Sequence, residues 1–328
     1  MIPPEFDYYR ASSVAEALDL LERHRDDEPV LLAGGHGLLP DAKTGAADFG
    51  VAIDITEIDR LRGVGRREGE RERGGENDST AIGALTTHAT LADAARVREI
   101  APELAEAAAE VGDVQVRNRG TVGGNLAEAD PAADLPAAAL AADATLVLEG
   151  RDGEREMAAE AFFRADGGTD LGDRELLTEI RVSDASDPAG DRRDEDRPVA
   201  AGGAYAKKTH PATGYALVGV AASLALADGT VTEALLGATG VADAPMRLPA
   251  VEEALVGRDP NAETLADAAE RAGAELDPEE ARSDVAASGE FRLHLLGVYA
   301  ERALTAAVAN ATGSKPGERP TEREEVDR

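Results

Sequence analysis

The stretch Arg117-Asn118-Arg119-Gly120-Thr121-Val122-Gly123-Gly124-Asn125, which runs on to Asp130-Pro131-Ala132-Ala133-Asp134-Leu135-Pro136, sets paired glycines, a hydroxyl, an amide and spaced carboxylates among small residues. A second segment, Ala33-Gly34-Gly35-His36-Gly37-Leu38-Leu39-Pro40, has the same character. Glycine lets a backbone approach a ligand closely and frees its N–H groups to face phosphate oxygens. Taken singly, each glycine pair reads equally well as a tight turn. Two such loops, each after an ordered element and each near a hydroxyl or imidazole, favour a diphosphate held from two sides. Neither loop matches GxGxxG or GxxxxGK followed by Ser or Thr, so a Rossmann or P-loop reading would be forced. Thr121 and Asn125 are candidate donors to phosphate oxygens, whereas the acidic Asp134 suits ribose hydroxyls better. His36 reads equally as a phosphate donor or as a loop histidine. Lys207 stands out only because lysine is scarce, and by itself it reads as a surface residue.

The rest of the chain bounds these readings. Its 328 residues are enough for two domains with separate cores, and 43% hydrophobic content supports a globular protein. With five Phe, five Tyr and no Trp, those cores must be built from Leu, Val, Ile and Ala. No run of about eighteen apolar residues occurs, so no membrane span is expected. Met1-Ile2-Pro3-Pro4-Glu5-Phe6-Asp7 lacks a basic n-region and an apolar h-region, which makes the cytoplasm the expected compartment. Without cysteine the chain can form no disulfide, use no thiol nucleophile and ligate no iron–sulfur cluster with its own thiolates. His24, His36, His88, His210 and His294 lie far apart, with no HExxH-like spacing, so no metal site is expected. No Ser/His/Asp or paired-carboxylate arrangement stands out, and no catalytic residue is assigned.

Along the chain, Ser13-Val14-Ala15-Glu16 is a capping-box pattern opening a helix to about His24. Val30-Leu31-Leu32 reads as a short buried strand feeding the first glycine loop, with Pro40 holding a turn behind it. Val51, Ile53 and Ile55 alternate as in a half-buried strand, and a helix-like turn follows around Ile58 and Leu61. Residues 66–79 are charged and glycine-rich and read as an exposed tip. A strand over 81–88, a helix opened by Thr90 and Asp93, and an alanine-rich helix from Pro102 lead to the second glycine loop. Strands resume at Ala144-Thr145-Leu146-Val147-Leu148. The glycine-rich residues 164–173 read as a hinge, which divides the chain into domains at 1–172 and 176–310. After a strand over 176–182 and an acidic insertion over 184–197, strands at 204–208, 215–226 and 231–237 form an antiparallel meander. Helices follow near 249–256, 265–276 and 289–310, and residues 313–328 read as a disordered tail.

These segments resemble the FAD-binding medium subunits of the molybdenum hydroxylases, the family of aerobic carbon monoxide dehydrogenase and xanthine dehydrogenase. The likeness runs from Ile2-Pro3-Pro4-Glu5-Phe6-Asp7-Tyr8 to about Asn310. Its most specific parts are Ala33-Gly34-Gly35-His36 through Leu39-Pro40 with Lys43, Ile82-Gly83-Ala84-Leu85-Thr86-Thr87, the run from Gln115 through Asn125, Asp130-Pro131, and Asp134-Leu135-Pro136. The resemblance implies an α+β fold. A two-lobed FAD-binding domain of the vanillyl-alcohol oxidase (PCMH) type comes first, then a smaller C-terminal domain with a three-stranded antiparallel sheet and helices.

By carry-over, Ala33, Gly34, Gly35, His36, Gly37 and Leu38, with Thr121, Gly123, Gly124 and Asn125, would hold the FAD diphosphate. Asp134 would bind a cofactor hydroxyl, Leu177 would pack on the flavin, and Lys207 would sit near the isoalloxazine. One departure stands out: the family commonly has Ser or Thr where Gly37 stands, so a hydroxyl contact to phosphate is missing. The implied partners are an iron–sulfur small subunit and a molybdopterin-binding large subunit, in a dimer of heterotrimers. The implied role is to pass electrons from the clusters through FAD to an external acceptor. A stand-alone FAD-dependent oxidoreductase and a flavin-free assembly subunit are the alternatives.

The formal charge of −31 argues against nucleic acid as a partner. Acidity spread along the chain instead reads as a surface suited to concentrated salt, where screening over roughly 3 Å at about 1 M removes self-repulsion. Dialysis to low salt is therefore expected to cost the protein its folded circular dichroism spectrum. An unchanged spectrum would count against a halophilic habitat.

Overall fold

The structure is a computed structural model that describes residues 2–67, 79–183 and 199–313. Most of the insertions read at 66–79 and 184–197, and the tail beyond Gly313, lie outside the described residues; Arg66, Arg67 and Ser79 belong to strands.

The first unit is a small parallel sheet. Strands β1 (Asp7–Arg10), β2 (Pro29–Leu32) and β3 (Val51–Asp54) are ordered β1-β3-β2, with β3 buried between two parallel neighbours. Helix α1 (Val14–Arg23) crosses from β1 to β2 and buries Val14, Ala17, Leu18 and Leu21, the apolar stripe legible in the sequence. Ser13 caps it by accepting from the Glu16 N–H, but the Glu16 carboxylate returns to Ser12 rather than to Ser13. Strand β2 is half-buried rather than buried. After it, Pro40 lies in the first turn of α2 (Leu38–Thr44) and does not hold a turn of its own. That position tolerates proline because first-turn N–H groups have no intrahelical acceptor.

The second unit is a five-stranded antiparallel sheet ordered β4-β5-β8-β6-β7: β4 (Val64–Arg67), β5 (Ser79–Gly83), β6 (Thr145–Gly150), β7 (Gly153–Ala158) and β8 (Glu175–Ser183). Its helices are α3 (His88–Asp93), α4 (Ala95–Ile100), α5 (Pro102–Glu110), α6 (Val114–Arg117), α7 (Val122–Glu128), α8 (Asp134–Ala141) and α9 (Ala159–Phe162). The sequence caps a helix at Thr90, whereas the cap of α3 lies three residues earlier, at Thr87, which accepts from the Thr90 N–H at 3.2 Å. Strand β8 is hydrogen-bonded to β5 on one side and β6 on the other. Residues 164–173 are thus a loop within this sheet system, and the hinge read there is corrected: the strand after it returns to the first domain.

The third unit is a four-stranded antiparallel sheet, β9 (Val199–Thr209), β10 (Ala216–Ala227), β11 (Thr230–Thr239) and β12 (Met246–Arg247), ordered β12-β11-β10-β9. The meander is as the sequence suggests, with a fourth, two-residue strand that is too short to leave a periodic signal. Helices α10 (Pro249–Leu255) and α11 (Ala262–Ala269) precede α12 (Gly289–Thr312). Alternate residues of a strand face opposite sides of a sheet, and neighbouring glycines of β9 use this. A Cβ on Gly202 would strike the α12 backbone at Ala311 and Ala307, and one on Gly203 would strike Glu103 of α5. Helices thus press on both faces of the sheet, and the central β10 is buried along nearly its whole length. A third close approach, Gly237 of β11 against the Ala137 carbonyl, seats α8 on the same sheet. Among the described residues, no helix is long and apolar enough to cross a membrane.

A cavity between two glycine loops

The two glycine loops that define the sequence meet in space. A Cβ at Gly34 would lie 2.5 Å from the Arg119 carbonyl oxygen and 2.8 Å from the Gly120 Cα, so the loops touch backbone to backbone. Beside this joint opens a cavity of about 490 Å³, within the usual range for small-molecule sites of about 300–1,000 Å³. Ala33, Gly34, Gly35, His36, Gly37, Leu38, Thr121, Gly123, Gly124, Asn125, Asp134 and Leu177 all line it. Of the residues singled out from sequence, Lys207 alone is not on the wall.

The first wall is the turn between β2 and α2. Gly35 sits at φ +71°, a conformation open to glycine and strained for other residues. Among the described residues, the N–H groups of Gly34, Gly35, His36 and Gly37 donate to no protein acceptor. Gly34, Gly35 and Gly37 are half-buried and His36 is exposed, and four successive donors without protein acceptors on a cavity wall suit an anionic ligand.

The second wall differs from the sequence reading. Thr121 to Asn125 is not an open loop but the start of α7, with Thr121 as its N-cap accepting from the Gly124 N–H at 3.2 Å. The Val122 and Gly123 N–H groups are also committed, to the Thr86 and Ala84 carbonyls at 2.9 and 2.8 Å. The glycines at 123 and 124 therefore do not offer free N–H groups. Gly123 is glycine because a Cβ there would lie 2.5 Å from the Ala84 Cβ. The polar groups left over are the Thr121 O–H and the Asn125 Oδ1, a buried atom without a partner.

His88 also reaches the site, which its place after two threonines does not signal. Its ring lies under Gly120, where an added Cβ would come within 2.8 Å of it, and it lines the cavity. Burial, helped by the charges of His36 and Arg117, pushes it down to about 4, so it is neutral near pH 7 and its Nδ1 has no partner.

Asp134, the first residue of α8, accepts from the Tyr205 phenol at 2.6 Å and from Lys207 Nζ at 3.1 Å. Burial pushes its carboxyl up to about 6, against the opposing pull of Lys207 and Tyr205. Lys207 is buried behind it and also donates to the Glu110 and Gly214 carbonyls at 2.7 and 3.0 Å. This overturns the surface reading of that lysine, and it places Lys207 behind the wall rather than on it.

Leu177 reaches the cavity from β8, next to a register shift where Val147 pairs with Glu179 but Leu148 with Leu177. The third sheet closes the site with Thr213, Gly214 and Tyr215 at the β9–β10 turn, where Gly214 adopts φ +78°. Sequence reasoning missed this turn, which reads as an ordinary hairpin connection.

The groups present fit a flavin dinucleotide: free backbone donors for phosphate oxygens, a buried unpartnered amide oxygen, and leucines for an aromatic ring. The comparisons agree. Residues 4–183 match the family described as "FAD binding domain in molybdopterin dehydrogenase", and residues 203–307 match "CO dehydrogenase flavoprotein C-terminal domain". The chain belongs to this family. It is 36% identical over 309 residues to the carbon monoxide dehydrogenase medium chain of Hydrogenophaga pseudoflava, covering 94% of this chain and 99% of that one. It is 32% identical to the glyceraldehyde dehydrogenase medium chain of Sulfolobus acidocaldarius, covering 92% and 98%. The solved structure of the Hydrogenophaga pseudoflava carbon monoxide dehydrogenase lacking the Mo-pyranopterin moiety superposes with a TM-score of 0.82, covering 95% of this chain and all of that one. The chain is thus a medium FAD subunit of the molybdenum hydroxylase family, an oxidoreductase subunit whose cofactor is FAD.

Removing Lys207 would strand the buried Asp134 carboxylate. Breaking a buried pair by deleting one partner costs about 3–5 kcal/mol. Lys207→Met should lower the thermal midpoint accordingly, and adding Asp134→Asn should restore part of the loss. Equal melting of Lys207→Met and the unaltered protein would show that the pair does not hold the domains together.

Proposed function

We propose that this chain is the electron-relay subunit of a larger enzyme. It takes electrons from the iron–sulfur clusters of a small subunit and passes them through FAD to an external acceptor. The substrate is oxidised at a molybdopterin cofactor in a large subunit, and the assembly is a dimer of heterotrimers. The observation that carries this reading is the pairing of a two-domain flavoprotein fold with a sequence devoid of cysteine, so cluster ligation falls to another chain. When bound, FAD supplies the redox chemistry.

The chain's own residues hold and orient the cofactor. The N–H groups of Gly34 to Gly37 and the Thr121 hydroxyl donate to the diphosphate, with Ala33, Leu38, Gly123 and Gly124 shaping the cradle around it. Asn125 and Asp134 offer acceptors for cofactor N–H and O–H groups. Leu177 packs against the ring, and Lys207 acts through Asp134. The domain passage falls between β8 and β9.

Purification of the native assembly tests this reading. About one FAD per chain, with iron and molybdenum in co-purifying subunits, is expected. FAD without those metals would indicate a stand-alone flavoenzyme, and metals without flavin an assembly subunit. Gly124→Asp places a side chain 2.8 Å from Thr121 Oγ1 and a charge on the cavity wall. This variant should lose FAD, and stoichiometric retention would contradict the role of that wall.

A further inference from the structure

The backbone of Gly37 does not itself require glycine. Its φ of −94° and ψ of −65° are open to any residue. The carboxyl of Glu128, the last residue of α7, lies in the volume that a Cβ at Gly37 would need, a place it keeps only while position 37 carries no side chain. Ala129, at φ +48°, turns the chain sharply just after it. Both Gly37 and Glu128 line the cavity beside the free N–H groups, and among the described residues the Glu128 carboxyl makes no ion pair or hydrogen bond. A carboxyl reaching across from the opposite wall thus lies where a side chain at position 37 would stand.

We propose that the Glu128 carboxyl, in its protonated form, is the side-chain donor to the FAD diphosphate in this protein, so that FAD binding takes up a proton. The proposal rests on the reading of the cavity as the FAD site. An ionised carboxylate beside a diphosphate would repel it, whereas an O–H donated to a phosphate oxygen forms a short, charge-assisted bond. The groups facing Glu128 favour the proton. Asp130 follows it in the chain, Asp41 faces it from α2, and the Tyr215 phenol and Asp134 lie on the same cavity. His36, on the first wall, also shares the cavity. Glu128 is exposed on the cavity wall, yet the protein on its other sides desolvates the carboxyl and, with the charges of Asp130 and Asp41, pushes it up to about 7. A bound diphosphate adds further negative charge and raises it again. Because the protonated form binds better, affinity is flat below the free-state value near 7. It weakens as pH rises above it, by up to about tenfold per pH unit.

The test uses the purified protein with its accompanying subunits, stripped of flavin and titrated with FAD by fluorescence quenching between about pH 6 and about pH 9. The expected Kd is constant at the acid end and rises by up to about tenfold per unit above neutrality. Glu128→Gln keeps an N–H donor but cannot titrate, so its Kd should be flat over the same range. Calorimetry of the unaltered protein near pH 8, in buffers of different ionisation enthalpy, should report uptake of close to one proton per FAD. A flat profile for the unaltered protein, absence of proton uptake, or a slope that persists in Glu128→Gln would each overturn the proposal. Failure of the unaltered protein to bind FAD at any pH would overturn the cavity's reading as a flavin site, a result distinct from pH-independent binding.

Discussion

The contact of Gly34 with the Arg119–Gly120 backbone is the constraint on which the site depends. It brings a turn from the parallel sheet against the entry to α7, which is anchored to the antiparallel sheet through the Ala84 and Thr86 carbonyls. Any side chain at Gly34 would push the lobes apart and open the cavity between them. The close approach also explains the division of labour between the two glycine loops. One keeps four N–H groups without protein acceptors, while the other spends its donors on fixing the position of its helix.

A second set of contacts ties the C-terminal sheet to this pair. Lys207 of β9 reaches the end of α5, the start of α8 and the β9–β10 turn at once, while Tyr205 of the same strand holds Asp134 from its other side. Desolvating an ion pair is expensive, and such a pair gives position more readily than stability. Here the position matters, because the same turn presents Gly214 and Tyr215 to the cavity. Glu103, fully buried beneath Gly203, is another polar group at this seam, and burial pushes its carboxyl up to about 8.

Much of this was legible in the sequence because the decisive residues are local punctuation. Glycine pairs, Ser13 as a cap and the alternation in β9 to β11 each follow from short-range sterics or period, and the family likeness added the cofactor. What escaped depended on pairing across long separations. The return of β8 to the first domain is set by β5 and β6, nearly a hundred and about thirty residues earlier, and no local signal in the glycine-rich stretch before it carries that information. The commitment of the Val122 and Gly123 N–H groups was hidden for the same reason, since their acceptors, the Thr86 and Ala84 carbonyls, lie on another element and cannot be read from a loop. The burial of Lys207 and the reach of Glu128 to Gly37 likewise belong to tertiary packing, which joins side chains that sequence spacing keeps apart.

Hydrogen–deuterium exchange at the amides of Gly34, Gly35, His36 and Gly37, with and without FAD, tests the central claim most directly. Donors without protein acceptors should exchange fast in the flavin-free protein and become strongly protected when FAD is bound, while the committed amides of Val122, Gly123 and Gly124 change little. Equal exchange at residues 34 to 37 in both states would contradict the assignment of this turn as the diphosphate cradle.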